Sequence, residues 1–137
     1  MKRFTDFPLS IELLEALHEM RFMRCTPIQE KVIPIALEGR DVAGMAQTGT
    51  GKTLAFLVPI LAKLVPSGQV QALVVCPTRE LALQVGGVAV DLGSRVGVKT
   101  FVVYGGTAMG HQRREVYAGP DIVVGPRAAS STSSRPP

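Results

Sequence analysis

The residues best suited to chemistry lie between positions 46 and 53, where the sequence reads Ala-Gln-Thr-Gly-Thr-Gly-Lys-Thr. Glycine tolerates positive φ, so Gly49 and Gly51 allow backbone N–H groups to turn towards a polyphosphate. Lys52 would then reach the β- and γ-phosphates, and the Thr53 hydroxyl would ligate Mg²⁺. The stretch departs from the general phosphate-loop pattern only in its first residue, alanine in place of glycine. It predicts a loop that binds ATP or a similar nucleotide with Mg²⁺; the alternative is a glycine-rich turn with a chance lysine.

A second candidate for chemistry is Gln29, which follows Thr26 by three positions. A glutamine amide offers one kind of donor and one acceptor, which match the N7 acceptor and N6 amino group of adenine. Guanine presents two acceptors on that edge, so Gln29 would select ATP over GTP. Phe22 could stack on the adenine face. The alternative, which stays open here, is that Gln29 closes a capping box with Thr26 at the start of a helix.

Strands and helices must alternate along the chain to position these residues. Short apolar runs without polar alternation predict four strands, at 41–46, 71–76, 98–104 and 121–124. Two predicted helices begin after Ser10 and Thr26, and three more lie at 52–65, 79–94 and 108–118. Gly86 and Gly87 weaken the helical pattern of 79–94. Apolar strands that each lead into or follow a helix indicate a parallel sheet covered on both faces. The sequence therefore predicts an α/β fold.

Three motifs in this order resemble those of the DEAD-box RNA helicases. The family's phosphate loop reads Ala-x-Thr-Gly-x-Gly-Lys-Thr, as residues 46–53 do here. Residues 21–29 resemble its Q motif, Gly-Phe-x-x-Pro-Thr-x-Ile-Gln, with Arg21 and Cys25 in place of the glycine and the proline. Residues 77–82, Pro-Thr-Arg-Glu-Leu-Ala, resemble motif Ia. The resemblance runs from Phe4 to about Gly125 and implies a partial RecA-like P-loop NTPase domain with about four parallel strands flanked by helices.

The resemblance implies two groups of site residues. Those expected to bind ATP and Mg²⁺, with Thr53 on the metal, are Phe4, Phe22, Thr26, Gln29, Ala46, Gln47, Thr48, Gly49, Thr50, Gly51, Lys52 and Thr53. Those expected to touch the RNA backbone are Pro77, Thr78, Arg79, Gly105 and Gly106. A hydroxyl, a guanidinium and glycine N–H groups can hold phosphates without reading bases. The alternative for the second group is helix capping by Thr78, solvation of Arg79 and a plain turn at Gly105-Gly106.

The sequence departs from the family after the fourth predicted strand. There the family continues with Thr-Pro-Gly-Arg, Asp-Glu-Ala-Asp, Ser-Ala-Thr and a second RecA-like domain. Here residues 123–127 read Val-Val-Gly-Pro-Arg, and alanine, serine, arginine and proline dominate to the end. No Asp-Glu-Ala-Asp occurs in the 137 residues, so Lys52 and Thr53 are all that remains of the catalytic set. We expect residues 1–125 to form a truncated ATP-binding domain and 126–137 a disordered tail, with an out-of-frame origin as our hypothesis.

The function implied by the resemblance is that of an ATP-dependent RNA helicase, an ATP hydrolase. For this chain we expect binding of ATP-Mg²⁺ and RNA backbone without ATPase activity, because the carboxylates that hold Mg²⁺ and orient the attacking water are absent. The alternative is a non-catalytic nucleotide- or RNA-binding fragment, or a non-functional remnant. A phosphate-loop kinase is disfavoured, since no acceptor-binding or lid segment follows the strands.

Composition agrees with one packed domain and excludes several other classes. Apolar residues make up 46% of the 137 residues and charged residues 19%, which argues against general disorder. The net charge of +4 is compatible with an anionic partner. The longest apolar run, 54–62, is interrupted by Pro59 and is too short for a membrane helix. Two cysteines exclude a disulfide framework and a four-ligand zinc site. We expect a cytoplasmic protein without membrane association.

One expectation concerns the order of the strands in the sheet. In RecA-like domains the strand that enters the phosphate loop, here 41–46, is separated from the motif Ia strand, here 71–76, by strands that come later in the sequence. This chain does not contain those later strands. We therefore expect either an unusual strand register or loose packing, with poorly cooperative unfolding and a tendency to associate.

Overall fold

The computed structural model describes residues 2–47, 49, 51–103 and 119–127. The chain divides into two compact units, Met1–Lys63 and Leu64–Pro137. Within the described ranges, no helix combines the length and the apolar character needed to cross a membrane. The predicted helix 108–118, the Gly105-Gly106 doublet and residues 128–137 lie outside the described residues.

The first unit is helical. It contains a short 3₁₀ helix, Phe4–Asp6, followed by α1 (Ile11–Glu19), α2 (Pro27–Leu37) and α3 (Lys52–Lys63). Ser10 caps α1 as predicted, its Oγ accepting a hydrogen bond from the Leu13 N–H at 3.2 Å. Gly39 follows the end of α2 with φ +87°, a conformation that glycine adopts at little cost. α2 packs against α3, which ends two residues before the predicted limit of 65.

The predicted strand 41–46 is not present, which corrects the sequence analysis. Residues 40–47 run without helix, strand, turn or bend. The hydrogen bonds found among the described residues do not involve the backbone of residues 42–46. Met45 is 96% exposed and Val42 40% exposed, so the segment is not buried either. A strand needs a neighbour that accepts and donates its backbone hydrogen bonds. The described residues provide none here, and an apolar run alone does not create one.

The second unit contains the sheet. Its elements are β1 (Ala72–Cys76), α4 (Arg79–Ser94), β2 (Thr100–Val102) and β3 (Ile122–Pro126). The strand order is β1-β3-β2, and both pairings are parallel. The predicted parallel α/β arrangement is confirmed, but with three strands in the described sheet instead of about four, because residues 41–46 do not join it. β3 extends through Pro126 and is buried along its whole length, as expected for a central strand.

Asp121 connects the beginnings of the three strands. Its carboxylate is 2% exposed. Oδ2 accepts a hydrogen bond from the Lys99 N–H at 3.0 Å, and Oδ1 accepts from the Ser67 N–H at 3.3 Å and from Gln71 Nε2 at 3.4 Å. The backbone of Asp121 also accepts from the Gln71 N–H at 2.9 Å and donates to the Lys99 carbonyl at 2.8 Å. One buried side chain therefore holds the ends of β1, β2 and β3 together.

The two adjacent glycines of α4 have different surroundings. Gly86 is buried, and a Cβ placed on it would lie 2.4 Å from Cγ2 of Val102 in β2. A Cβ on Gly87 would meet no atom of the described residues within 4 Å. Gly86 therefore allows α4 to approach the sheet closely, whereas Gly87 has no such role.

Candidate functional site

The phosphate loop lies in the first unit and leads into α3. Gly49 and Gly51 have φ of +83° and +86°, in the left-handed region that favours glycine. Lys52 is the exposed first residue of α3, and Thr53 follows it partly buried. The N-terminus of a twelve-residue helix adds unpaired N–H groups and a partial positive charge. This backbone and donor set fits a polyphosphate with Mg²⁺; Thr48 and Thr50 lie outside the described residues.

Gln29 links the Q motif to the phosphate loop. Its Oε1 accepts a hydrogen bond from the Thr26 N–H at 2.9 Å, and its Nε2 donates to the Gly51 carbonyl at 3.0 Å. Gln29 thus makes its half of the predicted capping box with Thr26. One amide hydrogen and one oxygen lone pair have no partner among the described residues, and these are the two groups that adenine would require; the residue is 3% exposed. The role of Gln29 in adenine recognition stays a prediction.

Gly51 is packed closely against the start of α2. A Cβ placed on Gly51 would lie 2.6 Å from Gln29 Nε2 and 2.9 Å from Thr26 Oγ1. Thr26 Oγ1 is itself buried and without a hydrogen-bond partner among the described residues. Residue 51 must therefore be glycine for two reasons: its φ is positive, and there is no space for a Cβ beside it. Sequence reasoning assigned Gly51 to phosphate binding and missed this second role.

The two aromatic residues expected at the adenine differ in exposure. Phe4 is buried with 3% of its surface exposed, so its ring is part of the packing of the first unit. Phe22 keeps part of its surface exposed, and its N–H donates to the Leu17 carbonyl at 2.8 Å. Of the two rings, Phe22 is the one with surface available for stacking. Ala46 and Gln47, at the start of the loop, are partly buried and exposed respectively.

The two departures from the Q motif have different structural consequences. Arg21, in the place of the glycine, has φ +65°, which costs a non-glycine residue about 1–2 kcal/mol. Cys25, in the place of the proline, is buried and donates its N–H to the Lys2 carbonyl at 2.9 Å, a bond that proline cannot make. Burial and the neighbouring Glu30 and Asp6 carboxylates raise the pKa of Cys25 to about 11, so its thiol is neutral and packs as a small apolar group.

The motif Ia residues lie at the carboxyl end of β1, in the second unit. Pro77, Thr78 and Arg79 are all exposed, and Arg79 is the first residue of α4. Thr78 Oγ1 accepts a hydrogen bond from the Leu81 N–H at 3.1 Å, so the predicted capping alternative is confirmed. An accepting hydroxyl still has its own proton to donate. The hydroxyl, the guanidinium and the helix N-terminus are together a suitable donor set for a phosphate.

A parallel sheet packed against α4 in the second unit, and in the first unit a glycine-rich loop that ends in lysine at a helix N-terminus, are features of the α/β P-loop NTPases, the class that includes RecA-like domains. Comparison with known proteins gives the family. The family model for the DEAD/DEAH box helicase matches residues 26–132. This chain belongs to that family.

Individual relatives agree with this assignment. The DEAD-box ATP-dependent RNA helicase CshA of Bacillus subtilis (strain 168) is 46% identical over 123 residues, covering 89% of this chain and 25% of the relative. The ATP-dependent RNA helicase RhlB of Shewanella piezotolerans (strain WP3 / JCM 13877) is 46% identical over 132 residues, covering 90% and 30%. A crystal structure of a DEAD box protein from the hyperthermophile Methanococcus jannaschii is 32% identical with a TM-score of 0.87, covering 93% and 35%. The chain thus spans about a quarter to a third of the length of these proteins.

Proposed function

We propose that this chain binds ATP with Mg²⁺ and contacts the RNA backbone, as part of the ATP-binding region of a DEAD-box RNA helicase. The observation that carries the proposal is the 3.0 Å hydrogen bond from Gln29 Nε2 to the Gly51 carbonyl. It joins the side chain suited to adenine with the loop suited to phosphates. The names of the relatives, which are ATP-dependent RNA helicases, support the same nucleotide and the same nucleic acid.

Each residue of the nucleotide site has a distinct role in the proposal. Lys52 binds the β- and γ-phosphates as a cation, and the loop glycines expose N–H donors to the same groups. Thr53 supplies a hydroxyl ligand to Mg²⁺, which would neutralise phosphate charge when bound. Gln29 uses its remaining amide hydrogen and lone pair on adenine, and Phe22 stacks on the base.

Lys52→Ala should weaken ATP binding about 10- to 100-fold, because a hydrogen bond between charged partners contributes about 1.5–3 kcal/mol. Titration of a fluorescent ATP analogue with Mg²⁺ measures the change. Lys63→Ala is the matched control, since Lys63 is an exposed lysine at the other end of α3.

In the same titration the unmutated chain should prefer ATP to GTP, and Gln29→Ala should bring the two affinities together. Equal affinity for ATP and GTP in the unmutated chain would contradict the role of Gln29.

Arg79→Ala should lower the affinity for single-stranded RNA and reduce the salt dependence of binding by about one phosphate contact. Arg79 is the first residue of α4, and the N-terminus of a helix favours a phosphate. Fluorescence anisotropy of a labelled RNA at several salt concentrations measures both quantities. Arg95→Ala is the control, because Arg95 follows the C-terminal end of the same helix. An equal loss in the two variants would indicate a general charge effect in place of a site.

The chain alone should show no RNA-stimulated ATP hydrolysis. Phosphoryl transfer requires a metal-binding carboxylate and a group that orients the water, and the sequence contains no Asp-Glu-Ala-Asp to supply them. A coupled assay of phosphate release, with and without RNA, tests this. Turnover that rises with RNA and disappears in Lys52→Ala would show that the prediction is wrong.

A further inference from the structure

Residues 2–7, the leading segment, are hydrogen bonded to the Q motif and to the helix that contains its last residues. The carbonyl of Lys2 accepts a hydrogen bond from the Cys25 N–H at 2.9 Å. The N–H of Lys2 donates to the Glu30 carboxylate in the first turn of α2. One residue of the leading segment therefore connects the loop before α2 with a side chain of α2 itself.

The leading segment is itself held in place by burial and by a strand-like contact. Phe4 and Phe7 are both buried, so their rings belong to the core of the first unit. Arg3 pairs with Arg24 in an antiparallel bridge. The segment is therefore an ordered element, against which the loop of the Q motif can be positioned.

This chain depends on such an attachment more than the family pattern does. A proline at position 25 would fix its own φ and restrict residue 24, which reduces the entropy that is lost when the loop becomes ordered. Cys25 imposes neither restriction, and Arg21 adds the cost of a left-handed conformation, with φ +65°. The two hydrogen bonds of Lys2 offset these costs, and the bond from residue 25 exists only because that residue is not proline.

The position of the Thr26 N–H decides which way the Gln29 amide points. This N–H requires an acceptor, so Gln29 turns Oε1 towards it at 2.9 Å and Nε2 towards the Gly51 carbonyl at 3.0 Å. The peptide group that carries the Thr26 N–H begins at Cys25, the residue bonded to the leading segment. Fixing Cys25 therefore fixes the edge of the amide that is left for a base.

We infer that Glu30 is a positioning residue: it holds the leading segment against the Q motif and so fixes the Gln29 amide in the orientation that adenine requires. The inference rests on the proposed adenine site and adds the contact that prepares it. By linkage, an adenine nucleotide bound at Gln29 should in turn stabilise the attached leading segment. A guanine nucleotide, which does not match the amide, should do so less.

The rate at which a thiol reagent modifies Cys25 measures the attachment. Cys25 is fully buried, and burial, together with the Glu30 and Asp6 carboxylates, raises the pKa of its thiol to about 11, so it should react only when the leading segment detaches. Glu30→Ala should raise the rate about tenfold, because a lost hydrogen bond to a charged group increases the detached population. Cys76, buried in the second unit, is the internal reference and should keep its rate.

Two further variants separate the hydrogen bond from other effects of Glu30. Glu30→Gln removes the charge near the thiol but keeps an oxygen that accepts the Lys2 N–H, so it should be labelled nearly as slowly as the unmutated chain. Glu38→Ala, at the C-cap of α2, should have no effect, since Glu38 is exposed and pairs only with Arg40 among the described residues. Equal rates at Cys25 in Glu30→Ala and Glu30→Gln would overturn the inference, as would equal acceleration of Cys25 and Cys76.

Nucleotides provide the readout that a purely structural role of Glu30 would not change. Saturating ATP with Mg²⁺ should slow the labelling of Cys25 about fivefold in the unmutated chain, GTP should slow it less, and ATP should give little protection to Glu30→Ala. Titration of a fluorescent ATP analogue, run in parallel, shows whether ATP is bound. ATP that binds without protecting Cys25 would overturn this inference and leave the proposed function intact, whereas a chain that does not bind ATP would overturn both.

Discussion

Asp121→Asn is expected to lower the free energy of unfolding of the second unit by about 2–3 kcal/mol, although the two side chains have nearly the same shape. Both carboxylate oxygens of Asp121 accept hydrogen bonds from N–H groups. In asparagine an NH₂ group replaces one of the two carboxylate oxygens. That NH₂ group would face an N–H donor in place of an acceptor, so one hydrogen bond is lost. With the side chain 2% exposed, water cannot replace the lost bond.

Urea denaturation followed by far-UV circular dichroism measures this loss, and hydrogen exchange of the Ala72 and Ile122 amides locates it. Asp91→Asn is the control, because Asp91 is an exposed residue of α4 whose carboxylate pairs with Arg95 Nε at 3.3 Å. An exposed pair of this kind contributes about 0.5 kcal/mol or less. Equal midpoints for Asp121→Asn and the unmutated chain would show that Asp121 does not join the strands.

Gly86→Ala and Gly87→Ala should change stability in opposite directions. A methyl group on Gly86 would lie 2.4 Å from Val102 Cγ2, closer than any real contact, so α4 must move away from β2. Such overpacking costs about 1–3 kcal/mol. A methyl group on Gly87 meets no atom within 4 Å in the part of the chain that the structure describes, and alanine is favoured over glycine in a helix by about 0.5–1 kcal/mol.

The two variants serve as controls for each other, because each makes the same substitution in the same helix at neighbouring positions. Gly87→Ala should raise the urea midpoint and Gly86→Ala should lower it. Two changes of the same sign would contradict the close approach of α4 to β2. The double variant should show nearly the sum of the two effects, since only one of the methyl groups touches the sheet.

Most of the candidate nucleotide site could be predicted from the sequence because its parts are local. Gly49, Gly51 and Lys52 owe their properties to backbone conformation and to the start of α3, and neighbouring residues determine both. The caps at Ser10 and Thr78 are likewise short-range, and each hydroxyl accepts a hydrogen bond from the N–H three residues further on. The contact of Gln29 with Gly51 was not predicted, since the two residues are 22 positions apart and no local rule relates them.

The sequence by itself determined the α/β class, the limits 79–94 of α4, the phosphate loop and the resemblance to the DEAD-box helicases, because apolar periodicity, capping residues and motif spacing act over a few positions. Only the tertiary structure decided which apolar runs become strands. Residues 41–46 and β3 are both apolar runs, but β3 has a hydrogen-bonded neighbour on each side and 41–46 has none among the described residues. Tertiary structure also decided that Gly86, and not Gly87, lies against the sheet. It likewise placed the Asp121 carboxylate where it accepts hydrogen bonds at the beginnings of the strands. In each case the deciding groups are distant in sequence and meet only after folding, so the residue type alone cannot reveal them.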